Sequence, residues 1–315
     1  MKTFLQYANR ILVTGGAGNV GSALVERLIQ DQNNFVIVVD NLFTGSLEKL
    51  PKNGNNWKFI KCDANIYDDI MPIFLSYSID YVFHYAATVG VQRTLDNPVR
   101  VLNDIEGIKN ILNLSKNTPV KRVFYSSSSE VYGEPVEFPQ NEHTTPLNSK
   151  LPYAIVKNIG EAFLKSYKQE YNLNYTIFRF FNTYGPNQSQ DFVIAKFIKL
   201  ALKNEDITIY GDGSQSRTLC YIDDNIDATV NAFLSSDWEN TTINIGNDNE
   251  TSVLEIAHKI ISMTNSSSKI VHLPALKDGD MTRRLPDITN MKTLLGNRPL
   301  VSLEEGISKI LTKWS

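Results

Sequence analysis

The chain has 315 residues, with 31 Lys+Arg against 34 Asp+Glu, a formal net charge of -3 and 42% hydrophobic residues. This near-neutral balance argues against nucleic acid as the main ligand, and no apolar run approaches the roughly 20 residues that span a bilayer. The first ten residues hold no apolar signal-peptide core. The two cysteines lie far apart, which argues against a disulfide framework or a metal site. We therefore expect a cytoplasmic globular enzyme without a metal ion.

Short apolar runs alternate with helical stretches through the first half of the chain. The run at 10–14 stops at a glycine-rich segment, after which Val20, Leu24 and Leu28 share one helical face. The run at 35–39 is continuously apolar, which is typical of a strand buried on both faces. Further strand-like runs occur at 57–60, 81–84, 122–125, 175–179 and 242–245, with helical stretches such as 101–114 and 153–171 between most of them. Repeated βα units predict an α/β fold, a Rossmann-type doubly wound parallel sheet.

The alternation weakens after about residue 185, where turn signals accumulate. We interpret this part as a smaller C-terminal substrate-binding lobe. The Rossmann-type domain is predicted to span 1–182 with a returning segment at about 218–246, and the smaller lobe to comprise 183–217 and 247–315. No long linker rich in Pro, Ser or Gly separates them, so we expect the two parts to pack closely.

A glycine-rich turn follows the first predicted strand. Gly15, Gly18 and Gly21 have the spacing GxxGxxG. In a dinucleotide site the first glycine permits the tight turn, the second lets a pyrophosphate approach the backbone, and the third lets the helix pack against the strand. The N–H groups at the start of that helix, at Asn19 and Val20, would then face the anion. A tight turn without a ligand is the alternative, since glycine triplets also recur by chance.

Two carboxylates follow the second and third predicted strands. Asp40 comes 19 residues after Gly21, where a carboxylate can accept hydrogen bonds from the adenosine ribose. It would repel the additional phosphate of NADP, and no Arg occurs in the next eight residues. The predicted cofactor is therefore NAD. Asp63 is predicted to contact the adenine, with a helix N-cap as the alternative.

A tyrosine, a lysine and a serine form the predicted catalytic group. Tyr153 alone among the 14 tyrosines has a lysine four residues later, Lys157, and on a helix these positions share a face. A nearby ammonium favours the phenolate and lowers the tyrosine pKa, which would make Tyr153 an acid/base near neutral pH. Ser128, in the serine run at 126–129 that ends a predicted strand, is expected to orient a substrate hydroxyl. The alternatives are a chance surface pair and a flexible turn.

Together these residues resemble the extended short-chain dehydrogenase/reductase family, and more narrowly its nucleotide-sugar branch of NAD-dependent epimerases, dehydratases and decarboxylases. The resemblance covers nearly the whole chain. It also rests on several further segments, namely the adenosine-binding turn at 39–45, HYAA at 84–87, an NxxxG helix at 103–107, RFFNTYGP at 179–186, YGDGSQSR at 210–217 and YIDD at 221–224.

The resemblance implies a role for each matched position. Besides Gly15, Gly18, Asn19, Val20, Asp40, Tyr153 and Lys157, it implies cofactor contacts from Asn41, Phe43, Thr44, Gly45, Asp63, Ala64, Ala86, Ala87, Ser126 and Phe180. It implies that Asn182 binds the sugar diphosphate of the substrate, that Arg217 neutralises it, and that Thr88 also contacts the substrate. Arg283 or Arg284 is expected to add a second positive charge, and Tyr210 to line the base pocket. For the arginines, surface solubility is the alternative.

The shared first step of this branch is removal of hydride from sugar C4, while Tyr153 takes the hydroxyl proton. The residues that distinguish the later steps do not match a single reaction of this branch. Glu130 remains as a catalytic candidate, but the Asp of the acid pair found in many dehydratases is missing, and Asn187 stands where the decarboxylases usually have Arg. We therefore expect a C4 dehydrogenase or 4-epimerase, on a substrate such as a GDP-heptose, in the synthesis of surface-polysaccharide precursors.

Other outcomes stay open. They are a UDP-glucuronate decarboxylase, a 4,6-dehydratase and, more remotely, a non-catalytic NAD-binding sensor, although the retained Ser128, Tyr153 and Lys157 speak against the last. The resemblance also implies a homodimer or a higher oligomer through the helices at 101–114 and 153–171. The second of these carries apolar side chains beyond the cofactor-facing positions.

Overall fold

A seven-stranded sheet forms the centre of the computed structural model, which describes residues 6–275 and 283–314. The strands in these ranges are β1 Asn9–Thr14, β2 Asn34–Asp40, β3 Trp57–Lys61, β4 Tyr81–His84, β5 Arg122–Ser128, β6 Asn174–Phe180, β7 Thr183–Tyr184, β8 Ile207–Tyr210, β9 Ser216–Thr218, β10 Cys220–Tyr221, β11 Thr241–Ile245, β12 Glu250–Ser252 and β13 Ile270–Leu273. The helices are α1 Asn19–Leu28, α2 Tyr67–Tyr77, α3 Val91–Asp96, α4 Pro98–Lys116, α5 Pro152–Tyr171, α6 Val193–Leu202, α7 Ile222–Leu234, α8 Val253–Met263, α9 Thr289–Leu294 and α10 Leu303–Trp314.

The strand order of the large sheet is β11-β6-β5-β4-β1-β2-β3, with every neighbouring pair parallel. The order reverses between β1 and β4, which is the topological switch point where α/β sheets bind ligands. The predicted Rossmann-type fold is therefore confirmed.

Alternate residues of the strands point to opposite faces of the sheet and pack into two separate apolar layers. In β2, Val36 and Val38 pack with α1 and α7 on one face, whereas Ile37 and Val39 pack with α2, α4 and α5 on the other. Because β2 is buried on both faces, neither face needs polar side chains, which accounts for its continuous apolar sequence.

The part of the chain after β6 builds smaller units and one returning strand. Three two-stranded sheets pair β7 with β10, β8 with β13 and β9 with β12. Strand β11 returns to the large sheet and pairs with β6 at its edge. The domain boundaries given above stay predictions, and their residues 1–5, 276–282 and 315 lie outside the described ranges.

The described ranges contain neither a membrane-spanning helix nor a metal-binding cluster. No helix there has the length and apolar character that a membrane crossing requires. No cluster of three or more His, Cys, Asp or Glu side chains suited to a metal ion occurs there either.

Candidate active site

One cavity of about 940 Å³ lies over the carboxyl ends of the central parallel strands. The predicted site residues that line it are Gly15, Gly18, Asn19, Val20, Asp40, Asn41, Phe43, Thr44, Asp63, Ala64, Ala86, Ala87, Thr88, Ser126, Ser128, Glu130, Tyr153, Lys157, Phe180, Asn182, Arg217 and Arg284. Gly45, Tyr210 and Arg283 do not line the cavity that the described residues form. Positions far apart in sequence thus meet at one edge of the sheet, because parallel strands all end there.

The glycine-rich turn forms one wall with its backbone. Gly15 has a φ of +67°, and a Cβ on it would lie 2.6 Å from the backbone nitrogen of Ala86. Helix α1 begins at Asn19 with Gly18 as its N-cap, without a side-chain cap and without an acidic residue in its first turn. A Cβ on Gly21 would overlap the Gly15 carbonyl oxygen, so the third glycine packs the helix on the turn itself rather than on the strand.

This wall suits the pyrophosphate of a dinucleotide. The N–H groups of a helix start without a side-chain cap attract an anion. The Oδ1 atom of Asn19, which lines the cavity, is buried and has no hydrogen-bond partner among the described residues. A buried polar atom without a partner is costly, so a ligand that donates to Asn19 would relieve this cost.

Asp40 is held at the cavity by backbone amides. Its carboxylate accepts hydrogen bonds from the N–H groups of Ala17 at 3.0 Å and Leu42 at 2.8 Å. A Cβ on Gly45 would lie 2.7 Å from Asp40 Oδ1. Gly45 thus packs against Asp40, where only a glycine leaves room for the carboxylate, and its contact with the cofactor stays a prediction.

Asp63 lines the cavity but does not cap a helix. Its Oδ1 accepts from the N–H of Asn65 at 3.0 Å, and its Oδ2 from the side-chain amide of Asn41 at 2.9 Å. Helix α2 begins only at Tyr67, with Ile66 as its N-cap. The N-cap alternative is therefore wrong, because a local side-chain turn uses the carboxylate before the helix starts.

Helix α5 brings the predicted catalytic side chains to the end of β5. The Nζ atom of Lys157, buried at 3% exposure, donates to the Ser126 carbonyl oxygen at 2.6 Å and lies 5.8 Å from the Tyr153 ring centroid. The Ser128 hydroxyl lies near the Tyr153 phenol and acts to lower its pKa, and it accepts from the N–H of Glu130 at 3.2 Å. Serine, tyrosine and lysine thus form one buried group.

The electrostatics of this group differ from the sequence-based expectation. Burial, then the nearby Glu130 carboxylate, raises the pKa of Tyr153 above its usual value, while Ser128 and Arg284 oppose the rise. Burial also lowers the pKa of Lys157 to about 8. The expectation that Lys157 lowers the tyrosine pKa is therefore wrong for the protein alone, because desolvation of the phenol is the larger effect.

The two neighbouring arginines point to different places. Arg284 is 4% exposed, and its guanidinium contacts Glu130 at 2.9 Å and Ser129 at 2.5 Å. Arg283 instead pairs with Glu250 at 2.6 Å outside the cavity. Of the pair, only Arg284 can supply the expected positive charge, since consecutive side chains of an extended segment alternate in direction.

The diphosphate candidates line the cavity, whereas the candidate for the base pocket does not. Asn182 and Arg217 line the cavity; the Asn182 amide donates to the Thr218 carbonyl at 3.3 Å, and Arg217 to the Ser216 carbonyl at 2.7 Å. Tyr210 ends β8 with 39% of its surface exposed and lies outside the cavity of the described residues. The contact of Tyr210 with the base stays a prediction.

Sequence reasoning missed Asp104 on helix α4. Its carboxylate accepts the N–H of Thr88 at 2.6 Å and the side-chain amide of Asn65 at 3.2 Å, and it lines the cavity. It also opposes the lowering of the Lys157 pKa. The NxxxG match pointed to the neighbouring Asn103 instead.

A parallel sheet with a phosphate-binding turn, a ribose carboxylate and a Ser–Tyr–Lys group defines a dinucleotide-dependent enzyme. The chain belongs to the NAD dependent epimerase/dehydratase family, whose model matches residues 11–246. NAD is therefore its cofactor, and the residues lining the cavity fit that molecule.

Individual relatives cover nearly the whole chain. UDP-glucuronic acid decarboxylase 1 of Danio rerio is 35% identical over 97% of this chain and 72% of its own length. UDP-glucose 4-epimerase of Thermotoga maritima, solved with UDP-glucose, is 35% identical with a TM-score of 0.89 over 97% of this chain and 98% of that one. UDP-glucuronic acid 4-epimerase of Bacillus cereus, solved with UDP-glucuronic acid and NAD, is 29% identical with a TM-score of 0.87 over 97% and 100%.

The position of Asp40 predicts selectivity for NAD over NADP. A phosphate beside this carboxylate would meet a like charge, which costs several kcal/mol, so we expect NAD to bind at least about tenfold more tightly. Asp40→Asn keeps an acceptor for the backbone amides but removes the charge, and should reduce the preference. Calorimetric titration of both dinucleotides measures it, with Glu48→Gln on the nearby exposed turn as the control. Equal affinities for the unmodified protein would contradict the assignment.

Proposed function

We propose that the enzyme oxidises a nucleotide-diphosphate sugar at C4 to the 4-keto sugar, as a C4 dehydrogenase or a 4-epimerase. The observation that carries the proposal is that Ser128, Tyr153 and Lys157 line the same cavity as the glycine-rich turn. When bound, NAD supplies the hydride acceptor and a positive charge in the cavity. The family relation supports this chemistry at the level of the reaction class.

Tyr153, Ser128 and Lys157 have separate roles in the proton transfer. Tyr153 accepts the proton of the C4 hydroxyl, and Ser128, which lies near that phenol, holds the hydroxyl in place. A phenol whose pKa is raised by burial is a strong base once ionised, and it needs nearby positive charge to ionise near neutral pH. Lys157 provides part of that charge below about pH 8, where it keeps its proton.

The substrate is proposed to be a nucleotide-diphosphate sugar. Arg217 and Asn182 line the cavity, and a guanidinium suits a diphosphate because it is always charged and forms paired hydrogen bonds. The relatives reported above are named for UDP-sugars. UDP-sugars are therefore the first candidates, ahead of the GDP-heptose that the sequence resemblance suggested.

A second candidate is the decarboxylation of a UDP-hexuronate. Oxidation at C4 turns the C6 carboxylate into a β-keto acid, which loses carbon dioxide readily. The buried Arg284 beside Glu130 at the cavity wall favours this candidate, because it is a cation in reach of a substrate carboxylate. In the sequence, Asn187 argued against decarboxylation. Its side-chain amide donates a hydrogen bond to the Ser22 hydroxyl at 3.2 Å, and it does not line the cavity.

A product analysis separates the candidates. The enzyme with NAD is incubated with UDP-glucose, UDP-N-acetylglucosamine, UDP-glucuronate and a GDP-heptose, and the products are examined by mass spectrometry and proton NMR. A 4-epimerase gives an unchanged mass with inverted C4, a dehydrogenase gives loss of two hydrogens with matching formation of reduced dinucleotide, and a decarboxylase gives loss of carbon dioxide. Failure of every sugar nucleotide to react would contradict the proposal.

Removal of the Tyr153 hydroxyl should abolish turnover. Tyr153→Phe preserves the ring and its packing, so NAD binding should be retained. General acid/base catalysis supplies about 10²–10⁴-fold, so kcat should fall at least about 10²-fold, or roughly 3 kcal/mol in activation free energy. Steady-state kinetics measure it, with Tyr67→Phe, at 47% exposure, as the control. A Tyr153→Phe enzyme that keeps more than about a tenth of the rate would refute the mechanism.

A homodimer through α4 and α5 is the proposed assembly. Leu102 on α4 is exposed at 40%, and Phe163 and Tyr167 on α5 are half-buried. Such apolar side chains on adjacent helices favour burial against a second copy. Light scattering at micromolar concentration should give the dimer mass, and Leu102→Glu should lower it while Leu234→Glu on α7 should not. A stable monomer of the unmodified chain would contradict the proposal.

A further inference from the structure

Helix α5 contacts the end of β5 through side chains spaced one turn apart. Tyr153 lies near the Ser128 hydroxyl, and Lys157 donates a hydrogen bond to the Ser126 carbonyl at 2.6 Å. Residues four apart lie on the same helix face, so the next position in this series is Glu161. These first two contacts belong to the proposed catalytic group.

Glu161 makes a third contact with the same serine run. The Ser127 hydroxyl donates to Glu161 Oε1 at 2.6 Å. Arg179 on β6 donates to both carboxylate oxygens, from Nε at 2.9 Å and from Nη2 at 2.7 Å. The side chains of Ser127, Glu161 and Arg179 are at most 2% exposed. The bidentate ion pair of Glu161 and Arg179 therefore lies in the protein interior, next to the serine run.

Further polar side chains extend from this ion pair across the sheet and form a hydrogen-bonded row. Ser127 pairs in register with Arg179, which pairs with Asn244 on β11. The Tyr132 hydroxyl accepts from Arg179 at 2.8 Å and donates to Asn244 at 2.8 Å. The Asn244 amide in turn donates to the Asp287 carbonyl at 3.2 Å. The row therefore joins the catalytic helix to the segment that carries Arg284.

Stability alone does not explain this arrangement. Replacing a buried ion pair by apolar side chains of similar volume is often neutral or stabilising, because desolvation of two charges is expensive. A bidentate guanidinium–carboxylate pair does, however, fix the distance and orientation of its two elements. Here the elements are the catalytic helix α5 and strand β6.

We propose that Glu161 and Arg179 are positioning residues, which clamp Ser127 and thereby set the distance between Tyr153 and Ser128. The inference rests on the proposed function, since it concerns the geometry of that catalytic group. Displacement by about 1 Å of a group in the reaction can cost about 10²-fold in rate. Loss of the clamp should therefore lower kcat and leave the walls of the cavity intact.

Ser127→Ala tests the clamp with little risk to folding, because it removes one hydroxyl and keeps the Glu161–Arg179 pair. We expect kcat to fall about tenfold, with the KM for the sugar nucleotide and the NAD affinity unchanged. The matched control is Thr176→Val, which also removes a buried hydroxyl, bonded to the Trp238 carbonyl at 2.8 Å, in the neighbouring strand. It should lower Tm but not kcat. A normal kcat for Ser127→Ala, or an equal loss in the control, would overturn the inference.

A second readout does not depend on turnover. In protein with carbon-labelled tyrosine, the Tyr153 ring signal is assigned by comparison with Tyr153→Phe. Ser127→Ala should displace this signal and Thr176→Val should leave it in place. If the unmodified enzyme converts no sugar nucleotide, the proposed function fails while this spectrum still reports on the clamp. An unmoved Tyr153 signal in Ser127→Ala would overturn the inference by itself.

Discussion

The close contact between helix α5 and strand β5 is the constraint on which the site depends. Gly160 makes it possible, because a Cβ there would overlap the Tyr125 hydroxyl and lie 2.5 Å from its Cζ atom. Any larger side chain would push the helix off the sheet. At this short distance Tyr153 and Lys157 reach the serines that end β5, and the helix keeps both side chains out of water. Burial then determines the pKa values of both groups.

The pair formed by Glu130 and Arg284 is the second determinant of the chemistry. It acts on Tyr153 in opposite senses, since Glu130 raises the pKa of the phenol and Arg284 lowers it. A substrate carboxylate that enters here would compete with Glu130 for the same guanidinium, whereas a neutral sugar would leave the pair intact. Under the proposed function, the two candidate reactions differ in how the substrate would change this ion pair.

Local patterns in the sequence predicted much of this architecture. The glycine-rich turn, Asp40 at a strand end and the Tyr153/Lys157 spacing each depend on residues close in sequence, so the fold and most of the cavity wall followed. Asp104 and Glu161 were missed because their partners lie 16 and 34 residues away. The sign of the Tyr153 pKa shift was missed for a related reason, since burial is a property of the whole fold and not of the helix.

Hydride transfer from sugar C4 is tested most directly with a substrate deuterated at that carbon. The sugar nucleotide that the enzyme converts is prepared with deuterium at C4, and the rate and the fate of the label are followed by NMR and mass spectrometry. The proposed chemistry predicts slower turnover and complete retention of deuterium, in the sugar product or in the reduced dinucleotide. Loss of the deuterium to water would show that the C4 hydrogen leaves as a proton, and would contradict it.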